Sequence, residues 1–477
     1  MTDLYAVEDH TQYRRRKTAE VVERCSKLDG PASRLTDDEC GPDRIPKEVY
    51  TSRDWFDLEK EYLWPHVWQI ACREHDIPEV GDYFEYEIVD ETILIVRTGP
   101  ATIKGYFNVC QHRGRKLKEG CGRAERLRCG YHGWCWDLEG NVVEILDPFD
   151  FRPETIRSVD LALKPVQVDT WGGFVFVNMD SDAPPLSEAI APMPARVDRY
   201  LPERLRLKSW KRIVLPINWK VGVDAFHEGY HAFGTHPQLA GYMDDTRTGL
   251  YERWDNGMTL LGASNWLETM AMPSRRFGIN PDPKDVLMTM LEDLINSGVL
   301  SGDDLALLDL VKDMEFPPGD EGLELIRSMF AGYRRTQMAT LGVDVSEWPD
   351  SDVVAPEQFL LFPNTVGPLQ LGTGLFFRFR PNGDDHRSCI FDYWDMQFYP
   401  LGEEPDVTVE DVADTSLESW GQLVYQDLVN LLAVGRGMRS RGFSGPRFGY
   451  QENNLKFYYR KLAEMLGWKG QPRVPAY

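Results

Sequence analysis

The chain has no run of about 18 apolar residues, and its opening text, MTDLYAVEDHTQYRRRKTAE, has no apolar stretch behind a basic start. Neither a membrane-spanning helix nor a secretory leader is expected, which places the protein in the cytoplasm. Cysteine is scarce: eight in 477 residues are too few for a disulfide framework. Positive charge is in deficit, with 53 Lys and Arg against 76 Asp and Glu, a net of −23. Phosphate backbones and anionic lipid should repel such a chain, so nucleic acid and membrane surfaces are excluded as partners. The remaining composition, 42% apolar, 27% charged and 12% aromatic, is that of a folded protein with a large core. At this length two or three domains are expected, since domains usually run about 100–200 residues.

Residues 1–45 are polar, with helical character around Arg14 to Leu28 and a break at Gly30-Pro31, and read as an arm. From Tyr50 to Asp182 short alternating segments, such as Tyr83-Phe84-Glu85-Tyr86-Glu87-Ile88-Val89 and Thr92-Ile93-Leu94-Ile95-Val96, predict antiparallel sheet. The polar, proline-bearing stretch Asp180-Ser181-Asp182-Ala183-Pro184-Pro185 has linker composition. Beyond it helices mix with strands such as Ile213-Val214-Leu215 and Leu375-Phe376-Phe377-Arg378-Phe379. The expected division is an arm at 1–45, a β domain at 46–182 and a larger domain at 183–477. The acidic, helix-rich region about 281–342 reads equally as a cover over a pocket or as packing helices.

Within the β domain stand Cys110-Gln111-His112 and, after sixteen residues, Cys129-Gly130-Tyr131-His132. Two Cys and two His also suit a structural zinc, but zinc fingers pair a two-cysteine knuckle with a two-histidine helix. Here each loop supplies one thiolate and one imidazole, the set that gives one iron of a [2Fe–2S] cluster two sulfurs and the other two nitrogens. The surrounding text, Cys-x-His-Arg-Gly and Cys-x2-His-Gly-Trp, resembles the Rieske domains of aromatic-ring-hydroxylating oxygenases. Cys121 and Cys135 do not stand where respiratory Rieske proteins carry their disulfide, and read as ordinary thiols.

The spacer between the pairs carries Arg113, Arg115, Lys116, Lys118, Arg123, Arg126 and Arg128 against Glu119 and Glu125, locally +5. Such a run is commonly a solvated face. On an acidic protein it also suits a docking patch for an acidic electron donor.

About a hundred residues on, Asp224-Ala225-Phe226-His227-Glu228-Gly229-Tyr230-His231 leads to His236 and Pro237. On a helix Asp224, Glu228 and His231 share a face. A helix ending near Gly234 would let His236 swing back to meet His231, giving two ligands of a site with two histidines and one carboxylate. Asp224 and Glu228 are the local candidates for the carboxylate, and His227 reads as structural or pocket-lining.

The resemblance to Rieske non-haem iron oxygenases, large (alpha) subunit, extends over nearly the whole chain, including Asn218-Trp219-Lys220 and Phe362-Pro363-Asn364. It implies an α+β fold: an N-terminal β-rich Rieske domain, then a catalytic domain of antiparallel sheet and helices. It implies a carboxylate ligand far downstream, opening a helix with an Asp-x2-Asn start, which Asp427 to Asn430 and Gly437 fit. It gives the acid three residues before the first histidine ligand, here Glu228 where the family usually has aspartate, the role of bridge between metal centres. It further implies a trimer, as α3 or with a small β subunit, in which the cluster of one subunit serves the iron of its neighbour. The donor would be a ferredoxin or flavin reductase and the co-substrate O2. Ring cis-dihydroxylation of an apolar, aromatic substrate is the family precedent, with monohydroxylation or O- or N-demethylation as the alternative. A protein of another class, a pure electron carrier, would hold about two irons per chain in place of about three. Phe226, Phe233, Trp266, Leu360 and Phe376 are candidate pocket residues because they are apolar and near these motifs.

Overall fold

The computed structural model describes residues 41–156, 161–245, 251–253, 255–261, 274, 282–296, 311–354 and 356–467. The expected arm helix around Arg14 to Leu28 lies outside them. Between Gln69 and Asn178 run β1 Gln69–Arg73, β2 Asp82–Ile88, β3 Glu91–Gly99, β4 Thr102–Phe107, β5 Cys121–Arg123, β6 Leu127–Arg128, β7 Cys135–Trp136, β8 Val142–Glu144, β9 Pro165–Trp171 and β10 Phe174–Asn178. Seven of these make an antiparallel sheet in the order β1-β10-β9-β4-β3-β2-β5, and β6-β7-β8 make a smaller one. The two alternating segments expected as strands pair directly, Tyr83 opposite Val96.

Side chains alternate across a strand, so β3 feeds two cores at once. Ile93 and Ile95 join the main core. Leu94 and Val96 join a separate one with Leu117, Leu127, Trp134 and Trp136, which underlies the loops bearing Cys110 and Cys129.

The second sheet comprises β11 Arg206–Leu215, β12 Tyr251–Arg253, β13 Thr259–Leu261, β14 Glu357–Leu361, β15 Thr365–Gln370, β16 Thr373–Asn382, β17 Asp385–Gln397 and β18 Glu410–Asp411. Its order is β12-β13-β14-β15-β16-β17-β11-β18. The helices that matter to the site are α1 Arg53–Tyr62, α2 Trp219–Phe226, α3 Ala232–Thr235, α4 Pro283–Asn296, α5 Asp320–Thr340, α6 Leu417–Met438 and α7 Asn453–Met465. Among the described residues no helix is long and apolar enough to cross a membrane.

Both faces of the second sheet are covered, and β16 shows how. Phe377 and Phe379 stack on Phe226 at 4.3 and 5.6 Å between ring centroids, so the odd positions face α2. The even positions face the first sheet: Phe376 lies 5.0 Å from Phe174, Arg378 donates to the carbonyl of Ile70 at 2.5 Å and Arg380 to that of Glu87 at 2.9 Å. Asp392, fully buried in this seam, accepts from Arg378, Arg380, Arg212 and the indole of Trp210. Burial opposes its charge, and the three guanidiniums outweigh burial to hold the carboxyl well below its usual range.

Helix α2 is set by its first residues. Asn218 caps it, accepting from the backbone N–H of Lys220 at 3.2 Å while its amide donates to the carbonyl of His386. Trp219 and Lys220 both turn to Glu59 of α1, which is buried and also receives the indole N–H of Trp55. Gly222 brings the helix onto the sheet, since a Cβ there would overlap the Phe379 ring. The acidic helical region contributes α4 and α5. Val286, Leu287, Met290 and Leu291 of α4 and Leu323 and Ile326 of α5 pack against Ala232, Tyr242 and Met243, and Tyr242 donates to Asp293 at 2.6 Å. These helices therefore buttress the segment that carries His236.

Candidate metal centres

The two Cys-His loops of the β domain repeat one backbone design. Cys110 N–H donates to Arg115 O at 2.8 Å and Gly114 N–H returns to Cys110 O at 3.0 Å; Cys129 N–H donates to Trp134 O at 2.8 Å and Gly133 N–H returns to Cys129 O at 3.1 Å. The return requires left-handed backbone, with φ of +71° at Gly114 and +74° at Gly133, which is why glycine stands four residues after each cysteine. The loops face each other, with the rings of His112 and His132 4.6 Å apart. His112 stacks on Trp134 at 4.7 Å and meets Phe151 edge-on. Its Nδ1 is buried and has no hydrogen-bond partner among the described residues. A buried nitrogen left without a partner is costly unless it serves as a ligand, and a histidine nitrogen is what a Rieske cluster takes. Burial works against a thiolate at Cys129, and the N–H of Tyr131, the Cys110 thiol and the N–H of His132 outweigh it, lowering the pKa from its ordinary value. Cys110, His112, Cys129 and His132 thus fit the cluster. Cys121 and Cys135 are free, the first exposed and the second buried.

The structure pairs part of the basic spacer. Lys116 meets Glu85 at 2.8 Å and Glu87 at 3.7 Å, Arg123 meets Asp82 at 2.7 Å and Arg128 meets Glu144 at 2.5 Å. Arg113, Arg115 and Arg126 are exposed and make no ion pair among the described residues. The patch is therefore smaller than its composition implies.

In the larger domain the expected helix stops early. α2 ends at Phe226, and only one further turn, α3, precedes His236. The cause is Glu228, whose Oε2 accepts the backbone N–H groups of Tyr230 and His231 and so competes with the helical ladder. Asp224, Glu228 and His231 do not share a helical face. Even so, Glu228 Oε1 lies 2.7 Å from His231 Nδ1. Asp427 does not open its helix either: α6 begins at Leu417, breaks at Gly421 (φ 69°) and carries Asp427 well inside.

His231, His236 and Asp427 converge, their nearest donor atoms all within 4.8 Å of one another. Asp427 Oδ1 lies 3.0 Å from His236 Nε2 and 3.6 Å from His231 Nε2. Each histidine turns Nε2 to the carboxylate and has Nδ1 held from behind, His231 by Glu228 and His236 by Gln426 Oε1 at 2.9 Å. Gln238 supports Gln426 at 2.9 Å, and Asn430 reaches Thr235 at 3.2 Å. Burial would depress His231, but the Glu228 carboxylate and then Asp427 overcome this and carry its pKa up to about 9. Two imidazoles and a carboxylate on one side of a small space fit a mononuclear iron with open positions. Sequence reasoning missed Gln426, whose only signal was its place beside Asp427.

Asp224 is engaged elsewhere, accepting Tyr50 Oη at 2.6 Å and Tyr459 Oη at 2.7 Å. Burial pushes its pKa up to about 7, against the two phenol hydrogen bonds. His227 is fully buried, 3.1 Å from Thr259 Oγ1, and burial drives its pKa down to about 3. Of the pocket candidates, Phe226 is fixed in the aromatic stack, Leu360 is fully buried and Phe233 lies partly buried on α3. Phe376 points into the seam between sheets, away from α2, so its assignment to the pocket does not hold. Trp266 lies outside the described residues.

Comparison with known families matches residues 67–150 to the Rieske [2Fe-2S] domain, and residues 202–287 and 314–468 to the ring hydroxylating alpha subunit (catalytic domain). The carnitine monooxygenase oxygenase subunit of Escherichia coli (strain K12) is 32% identical over 213 residues, 43% of this chain and 55% of that protein. The biphenyl 2,3-dioxygenase subunit alpha of Rhodococcus jostii (strain RHA1) is 30% identical over 222 residues, 45% of this chain and 47% of that protein. The chain thus spans about half the length of the curated relatives it matches. A crystal structure of a quaternary ammonium Rieske monooxygenase in complex with L-carnitine superposes with a TM-score of 0.60 at 20% identity, covering 90% of this chain and 99% of that one.

Proposed function

The chain belongs to the Rieske non-haem iron oxygenases, with the catalytic domain of the ring-hydroxylating alpha subunits, and on that premise we propose that it is a terminal oxygenase component that takes electrons from a ferredoxin or flavin reductase and inserts oxygen into a small organic substrate. A Rieske domain joined to this catalytic domain implies a [2Fe–2S] cluster and a mononuclear iron with O2 as co-substrate. When bound, the cluster supplies electrons and the iron activates oxygen. The observation that carries the proposal is the convergence of His231, His236 and Asp427 in a chain that also carries the paired Cys-His loops.

Cys110, His112, Cys129 and His132 would hold the cluster, and His231, His236 and Asp427 the single iron. Glu228 orients the His231 ring through Nδ1, and Gln426 does the same for His236, so that both Nε2 atoms stay aimed at one point. Monooxygenation is the favoured reaction, because the carnitine monooxygenase relative aligns more closely than the biphenyl dioxygenase relative. Ring cis-dihydroxylation, the precedent for aromatic substrates, is the second reading and rests on the latter relative.

Assembly as a trimer is part of the proposal. Tyr131, Leu146 and Phe149 are exposed on the cluster lobe, and Tyr230, Val429 and Val434 are exposed beside the histidine-carboxylate site. Burying one group on the other between subunits would remove both from water. It would also bring Glu228 toward His132 of the partner subunit.

The test is single turnover of the reduced, iron-loaded protein under 18O2 with a panel containing carnitine, glycine betaine and biphenyl. One labelled oxygen in the product is expected. Two labelled hydroxyls on an arene would move the assignment to dihydroxylation, and no incorporation into any substrate together with about two irons per chain would leave an electron carrier.

A further inference from the structure

A cavity of about 310 Å³ opens between the C-terminal end of α6, the start of α2 and the residues ahead of α1. Its size is at the small end of the roughly 300–1,000 Å³ common for ligand pockets. Three cations line it, Lys47, Arg387 and Arg439, and no carboxylate does. On a chain of net charge −23 this is a local reversal of sign. None of the three makes an ion pair among the described residues. They are held instead by neutral acceptors: Lys47 Nζ donates to Ser440 O at 2.7 Å, Arg439 to Pro216 O at 3.4 Å and Arg387 Nε to His386 Nε2 at 3.4 Å. Among the described residues each keeps further N–H donors uncommitted. The rest of the lining includes Val221, Met438 and Tyr50.

We propose that this cavity is a binding site for a small organic carboxylate, its anionic end among Lys47, Arg387 and Arg439 and its hydrocarbon end against Val221, Met438 and Tyr50. Guanidinium forks match a carboxylate in two-point geometry, and the apolar wall gives the remainder of the molecule surface to bury. The site is separate from the candidate iron ligands. Gly435, in its lining, follows Asp427 by eight residues on the same helix, about 12 Å along the axis. It is nonetheless connected to α2, because Tyr50 lines the cavity while its hydroxyl donates to Asp224.

Calorimetric titration of the full-length, metal-loaded protein with hexanoate and, separately, with inorganic phosphate tests it. Saturable binding of one hexanoate per chain is expected, with phosphate weaker by roughly tenfold or more because it leaves the apolar wall uncovered. Lys47→Gln, and the pair Arg387→Gln with Arg439→Gln, should each weaken hexanoate by about tenfold or more. Iron content and cluster absorbance serve as the check that these variants fold. Absence of saturable binding to the parent, equal affinity in parent and variants, or phosphate binding as tightly as hexanoate would each overturn the proposal.

Discussion

Glu228 Oε1 stands 2.7 Å from His231 Nδ1, and the other oxygen of the same carboxylate takes the backbone N–H of His231 at 3.1 Å, so one side chain fixes both the ring and the peptide of a candidate iron ligand. Glu228→Gln keeps the size and removes the charge. It should retain both metal centres while losing most turnover, measured as reoxidation of the reduced cluster with substrate and O2. Glu228→Asp should keep partial activity, since the shorter side chain must reach across a site built for the longer one. Parent-like reoxidation in Glu228→Gln would end the bridge assignment.

Asp427, His231 and His236 meet at one point, far from the cluster loops in sequence and on another sheet system. Alanine at any of the three should strip the mononuclear iron and leave the visible spectrum of the cluster unchanged. Iron analysis beside absorbance reads the two sites separately. A full iron complement in Asp427→Ala would reassign the third ligand.

The ion pairs of Lys116, Arg123 and Arg128 leave Arg113, Arg115 and Arg126 to act on an approaching donor. Changing these three to Glu should slow cluster reduction and flatten its salt dependence, because exposed charge acts mainly on association rate. Reduction kinetics equal to the parent's across a salt series would return the run to a solvated face.

Asp224 carries a pH dependence of known sign. Its folded pKa of about 7 lies above its ordinary value, so through the acidic range up to about 7 the folded state holds a proton that the unfolded state has lost. Raising pH across that window therefore removes stability, by at most about 1.4 kcal/mol per unit. Asp224→Asn should flatten this slope in denaturant titrations between about pH 4 and 7. An unchanged slope would mean that the carboxylate stays charged in the fold.

The cluster loops were legible because ligand chemistry demands particular residues at short spacing, and glycine four residues after each cysteine is demanded by the backbone. The break after Phe226 was not, because a helical spacing of acid and histidine says nothing of a carboxylate that prefers the backbone to its neighbours. Lys116 looked free because Glu85 and Glu87 lie on β2, about thirty residues away in the chain. Phe376 was misplaced for a different reason: β16 is buried on both faces, and alternation cannot say which face holds a substrate. Asp427 could be chosen among 76 acids only through resemblance, since nothing local ties it to two histidines nearly two hundred residues earlier.

The arginines gathered on Asp392 bear on how the chain comes apart. Arg378 and Arg380 each reach one carboxylate in the second sheet and one peptide carbonyl in the first. Pulling the sheets apart would strip those carbonyls of their donors and open a seam packed with Phe174, Phe376 and Trp394. Melting should then be a single cooperative event in which bleaching of the cluster and loss of the catalytic sheet share one midpoint, and a catalytic half expressed by itself should present an apolar, positively charged face that has lost its cover.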